Sequence, residues 1–230
     1  MRLDKFISQN LGCTRKETKQ LLRQKLIEVD GSTLCTANQQ VDESNHITFR
    51  GRTLHTPGPL YFMLNKPEGV ICATKDSRHP TVLDLLDEPR VQTLHPVGRL
   101  DIDTTGLVLL TNDGQWSHGV TSPKRHKIKR YRAHLAEPLI EGVEKKFAAG
   151  IMLKGEHKRT LPAQLKRITA TEVELSIAEG RYHQVKRMFA AMENAVIALH
   201  RLSIGPLNLD SELPEGHYRP LNRHEIESLR

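Results

Sequence analysis

The apolar positions of the first fifty residues follow a helical period and then an alternating one. Leu3, Phe6, Ile7 and Leu11 fall at i, i+3, i+4 and i+8, which predicts one face of a short helix ending at Gly12. Thr14 stands three residues before Glu17, the capping-box spacing that satisfies free amides at a new helix start. Residues 26–34, LIEVDGSTL, alternate and carry Asp30-Gly31 at their middle, which predicts a hairpin. Residues 51–59, GRTLHTPGP, hold two glycines and two prolines and little apolar character, so they read as a linker. This divides the chain into a small domain over 1–50, a linker over 51–59 and a larger domain over 60–230.

Beyond the linker, strand-length apolar runs recur at 60–64, 106–111, 129–135, 172–178 and 194–202. Ile140, Val143 and Phe147 predict a helix over 138–150. Val185, Met188, Phe189 and Met192 predict another, and Asn222 with Glu225 caps a last short one. Strands and helices that follow one another without regular βαβ repetition favour an α+β fold over a doubly wound sheet.

Charge changes the picture. Lys and Arg number 34 against 27 Asp and Glu, a net charge of +7, with a pI near 9.4. Such a surplus suits a polyanionic partner, because phosphate contacts release counterions. Arg15, Lys19 and Arg23 recur at four-residue steps beside Lys16, and like charges so spaced repel unless phosphates relieve them. Three scattered cysteines make neither a disulfide framework nor a zinc site. No apolar run approaches the ~20 residues of a membrane span, and charges occupy the start of the chain where a signal peptide would be apolar. A cytoplasmic, membrane-free protein is expected.

Three clusters could carry chemistry. No glycine-rich phosphate loop, GxSxG elbow or HExxH pattern is present, which argues against nucleotide, serine-hydrolase and metal chemistry. Residues 97–107, VGRLDIDTTGL, set Asp101 and Asp103 two apart, so extended backbone would point both to one side. An Asp-rich turn closed by Thr104 and Thr105, an acid–base pair, or a divalent-ion site all fit that spacing, and the residues leave the choice open. Residues 179–189, EGRYHQVKRMF, bring Arg181, His183, Gln184, Lys186 and Arg187 to a helix start. Residues 124–132, KRHKIKRYR, hold six Lys or Arg around Tyr131, the interleaving that suits a stacked base on a gripped backbone. A strand edge made basic against aggregation is the competing reading of those charges.

Residues 1–50 resemble the alpha-L RNA-binding fold, with Gln24-Lys25 in place of its usual glycine. That likeness implies RNA contacts from Arg15, Lys16, Lys19 and Arg23. GRLDIDTTGL, KRY and GRYHQVKRMF resemble the three motifs of the RluA and RsuA groups of pseudouridine synthases, and lysine in the third is the habit of the RsuA family. The resemblance implies a mixed, mainly antiparallel sheet flanked by helices. It makes Asp101 the catalytic carboxylate, with Tyr131 against the target base, Ile177 beneath it and Lys186 paired with Asp101. Arg99 would enter the space left by a flipped nucleotide, and Lys129, Arg181, His183, Gln184 and Arg187 complete the RNA-binding set. The implied partner is small-subunit (16S) ribosomal RNA, free or in an assembling particle, modified at uridine 516 by a monomer without cofactor or metal. A large-subunit target, a non-catalytic assembly factor, or a metal-dependent hydrolase built on the two aspartates are the rivals.

Overall fold

A computed structural model of the chain describes residues 1–42, 44–55, 58–122 and 125–230. The chain divides into two compact units, one of Met1–Pro59 with Asp87–Leu94, the other of Leu60–Leu86 with His95–Arg230.

In the first unit, α1 (Leu3–Leu11) buries Leu3, Phe6 and Ile7 and stops at Gly12, whose φ of 63° suits a residue without a side chain. The Thr14–Glu17 capping box opens α2 (Arg15–Arg23). At its end Lys25 adopts φ 55°, so a lysine takes the left-handed turn that glycine usually fills, at a cost of about 1 kcal/mol. β1 (Ile27–Val29), β2 (Ile47–Phe49) and β3 (Arg52–Leu54) form an antiparallel sheet in that order. Two expectations change here. The Asp30-Gly31 turn forms, with Val29 and Ser32 exchanging backbone hydrogen bonds, but that ladder ends after one bridge. The Asp30 carboxylate accepts from the His46 amide and the Asn45 side chain, both at 2.7 Å, and β1 pairs with β2 instead. Residues 52–54 of the expected linker are strand β3, while Thr56 and Pro57 lie outside the described residues. Leu3, Phe6, Ile7, Leu22, Ile27, Val29, Val41 and Ile47 form the unit's core. Gln92, from the inserted segment, donates to the Gly12 carbonyl at 3.0 Å.

The second unit contains, in chain order, β4 (Tyr61–Lys66), β5 (His95–Val97), β6 (Thr104–Thr111), α3 (Gly114–Thr121), β7 (Lys129–Leu135), α4 (Val143–Ala148), β8 (Gln164–Arg167), β9 (Glu172–Ile177), α5 (Gln184–Ala190), β10 (Val196–Ile204), β11 (Leu207–Asn208), β12 (Tyr218–Pro220) and α6 (Arg223–Ser228). Its sheet runs β12-β4-β6-β10-β7-β9-β8, with β5 on β6 and β11 on β10. Only the β6–β10 pairing is parallel among the described strands. Trp116 and Val120 of α3 join Tyr61, Met63, Leu107 and Leu109 in one core, closed by Ile226 of α6. The helix expected over 138–150 begins only at Val143, after Gly142 at φ 81°. Ile140 is exposed accordingly, whereas Val143 and Phe147 are fully buried. Met192 likewise falls beyond the end of α5.

One transverse row positions the chemistry. Cα pairing runs Lys66, Gly106, Arg201, Tyr131, Leu175, Leu165 across six strands. Paired residues share a face, so two charged side chains lie in the interior beside a tyrosine. Lys66 and Arg201 are 0 and 2 % exposed. Gly106 stands between them at φ 100°, and a β-carbon there would lie 2.4 Å from the Arg201 carbonyl oxygen. Only glycine lets β6 and β10 approach this closely.

Candidate active site

Asp101 to Thr104 form a turn closed by the Thr104 amide on the Asp101 carbonyl, 3.1 Å away, just before β6. The two carboxylates therefore do not sit on extended backbone. They share a side because the turn presents both to α5.

Buried groups hold that turn from behind. Lys66 Nζ donates to the carbonyls of Pro67, Ile102 and Thr104 at 2.9, 3.3 and 2.8 Å. Burial pushes its ammonium below the usual lysine range, against the opposing pull of Cys72, Asp103, Asp101 and Glu68. Cys72 Sγ accepts from the Leu100 amide at 3.3 Å, and burial raises its thiol. Arg201 Nε donates to the Leu107 carbonyl at 2.7 Å, while its Nη2 is buried without a partner. Sequence reasoning missed these three. A lysine soon after the apolar run Tyr61–Leu64, followed by Pro-Glu-Gly, was the available signal for Lys66, because a charge in a buried strand needs partners.

From α5, Lys186 reaches both aspartates. Its Nζ lies 2.5 Å from Asp103 Oδ1 and 3.7 Å from Asp101 Oδ2. The expected pairing with Asp101 is thus the longer of two contacts, and the hydrogen bond belongs to Asp103, whose acid it holds below the usual carboxylate range. A side-chain ammonium already supplies the positive charge between the carboxylates. His183, at φ 47° just before the helix, places Nε2 3.4 Å from Asp101 Oδ1.

Tyr131 and Ile177 are both buried, and alternation places Lys129, Tyr131, Leu175 and Ile177 on one face of paired β7 and β9. Burial and the neighbouring Arg201 push Lys129 down, and Glu179 opposes them. Arg130 and Arg132 point the other way and meet Glu174 and Glu172 at 3.2 to 3.9 Å. The basic run is therefore neither a sheet edge nor a single cationic face: β7 lies between β10 and β9, and pleating splits the charges. Lys124 lies outside the described residues.

Three of the expected RNA contacts also carry hydrogen bonds within the fold. Gln184 is 4 % exposed, donates to Glu179 and accepts from the Arg181 amide. Arg181 donates to Glu179 and to the carbonyls of Lys158 and Arg159. Arg187 donates to Glu156 and to the carbonyls of Tyr182 and Lys154. These bonds hold both guanidinium groups against the 154–159 loop. Arg99 is exposed, as are Arg15, Lys16, Lys19 and Arg23 along α2. Among the described residues no three His, Cys, Asp or Glu side chains are grouped as metal ligands, and no helix is long and apolar enough to cross a membrane.

The second unit thus sets an aspartate turn beside a lysine-bearing helix on a mixed sheet, in a chain that also carries a small basic unit. Residues 60–191 match the family model for RNA pseudouridylate synthases, and residues 1–47 match the S4 domain. The chain belongs to the RNA pseudouridylate synthase family. It is 51 % identical over 230 residues to a Yersinia pestis protein named ribosomal small subunit pseudouridine synthase A, covering all of this chain and 98 % of that one. The protein of the same name from Escherichia coli K12 is 50 % identical with both chains fully covered. A crystal structure of a pseudouridylate synthase is 47 % identical, covers both chains fully and superposes with a TM-score of 0.74.

Proposed function

We propose that the chain converts one uridine of small-subunit (16S) ribosomal RNA, uridine 516 in the conventional numbering, to pseudouridine, with Asp101 as the catalytic carboxylate. The observation that carries this is the meeting of Asp101 with His183 and Lys186 at the mouth of β6. Relatives of about 50 % identity over the whole length, named for the small subunit, support the choice of RNA.

The reaction breaks a glycosidic bond, turns the base and rejoins it through carbon. No group is imported and nothing is oxidised, so no cofactor is required. Asp101 serves it in one of two ways, attacking the sugar or assisting a glycal route as a base. Lys186 keeps negative charge stable beside the reacting sugar. The target base must leave its stack at a cost of a few kcal/mol. Tyr131 and Ile177 form the apolar bed that receives it, and Arg99 fills the gap it leaves. The exposed cations of α2 grip phosphates, so residues 1–50 act as the RNA-selecting domain and 60–230 as the catalytic one. The protein is read as a cytoplasmic monomer acting on rRNA, free or in an assembling particle.

The test is incubation of the purified protein with small- and large-subunit rRNA and with assembling particles, followed by pseudouridine mapping, for wild type and Asp101→Asn. Conversion at one small-subunit uridine by wild type alone is expected. A large-subunit product would reassign the substrate, and turnover by Asp101→Asn would remove Asp101 from the chemistry.

A further inference from the structure

We propose that Tyr182 is a stacking platform for the nucleobase adjoining the target uridine, a role that rests on the function proposed above. Of the chain's ten aromatic residues, nine are buried or half-buried, and Tyr182 alone is exposed, at 75 %. Its ring lies parallel to the His183 imidazole, with centroids 3.8 Å apart and planes 18° from each other. That stack covers one face of the tyrosine and leaves the other open. His183 in turn touches Asp101, so a stack of two rings starts at the reacting carboxylate and ends in solvent.

The platform is rigid. Arg187 Nη1 donates to the Tyr182 carbonyl at 3.1 Å. Arg181, one residue before, is pinned through the Lys158 and Arg159 carbonyls and through its amide on Gln184. Through these bonds two arginines and a glutamine of the basic motif fix the backbone that presents Tyr182. An aromatic ring held in place binds a base with little ordering cost. The chemistry also creates the need. Flipping the target uridine removes a stacking partner from its neighbour, and the open face of a tyrosine stacked on the histidine that meets Asp101 replaces it.

The experiment compares wild type, Tyr182→Ala and Tyr182→Phe on a small-subunit rRNA fragment carrying 2-aminopurine on the 5′ or the 3′ side of the target. Wild type and Tyr182→Phe should quench the probe at one of the two positions, and Tyr182→Ala should not. Tyr182→Ala should raise KM about tenfold with kcat nearly unchanged, as removal of one base–aromatic stack predicts, and Tyr182→Phe should restore it. Equal KM and equal quenching in all three proteins would overturn the proposal. So would a fall in kcat with a displaced pH profile at unchanged KM, which would mean that Tyr182 acts only by holding His183. Quenching reports stacking in bound RNA whether or not it is converted, so an RNA bound and stacked but not modified would count against the proposed function and not against the platform.

Discussion

Lys186 gives its hydrogen bond to Asp103, at 2.5 Å, and stands 3.7 Å from Asp101. Two carboxylates thus share one ammonium, and the stronger contact goes to the one not assigned to chemistry. Removing the cation with Lys186→Ala should lower kcat by roughly 10²–10³, the loss expected for one preorganised electrostatic partner. Asp103→Asn should cost less than about tenfold, because Lys186 then has Asp101 as its sole carboxylate at this turn. Single-turnover rates on converted RNA decide the matter. An Asp103→Asn loss as deep as that of Asp101→Asn would transfer the catalytic role.

Lys66 ties Pro67, Ile102 and Thr104 together from inside the sheet. Lys66→Met keeps the apolar stem and removes three donated hydrogen bonds, leaving the Ile102 carbonyl with the Gly69 amide alone, which should destabilise the protein by about 1–3 kcal/mol. Since the turn carrying Asp101 would shift, kcat should fall by roughly 10² even in the folded fraction. Thermal unfolding and kcat measured together check this. Wild-type values of both would show that the turn does not depend on the lysine.

The exposed ridge of α2 predicts a purely electrostatic phenotype. Arg15→Glu with Lys19→Glu should weaken rRNA binding and reduce the slope of log K against log salt by roughly one for each phosphate no longer neutralised. Filter binding across a salt series measures it. An unchanged slope would show that α2 does not touch RNA.

Tyr61 is pushed up to about 12 by burial and by the Asp113 carboxylate that its hydroxyl meets at 2.7 Å. A phenol whose folded value exceeds its unfolded one stabilises the fold fully below pH ~10. That stability is lost as pH rises through about 12. Denaturant unfolding from pH 9 to 12 should show a decline in wild type that Tyr61→Phe flattens. Identical slopes would place the alkaline sensitivity elsewhere.

Much of this protein is written locally in its chain. Both capping boxes, the stop at Gly12 and the strands around Tyr61, Leu107, Tyr131 and Val173 follow from spacings of two to four residues, and they form as the pattern predicts. The motifs around Asp101, Tyr131 and Lys186 are as short, so the family is legible in them. What the tertiary structure decided is which side chains meet. Lys186 finds Asp103 across 83 residues, and Lys66 finds Thr104 across 38. β1 pairs with β2 rather than along its own hairpin, and the Asp30 carboxylate accepts from the His46 amide at the end of that ladder. Pleating turns Arg130 and Arg132 away from Tyr131, and internal carbonyls claim Arg181 and Arg187. Local periodicity sets the face a residue occupies, whereas its partner depends on register between distant strands and on which donors the fold leaves unsatisfied. Neither of those is carried by a spacing along the chain.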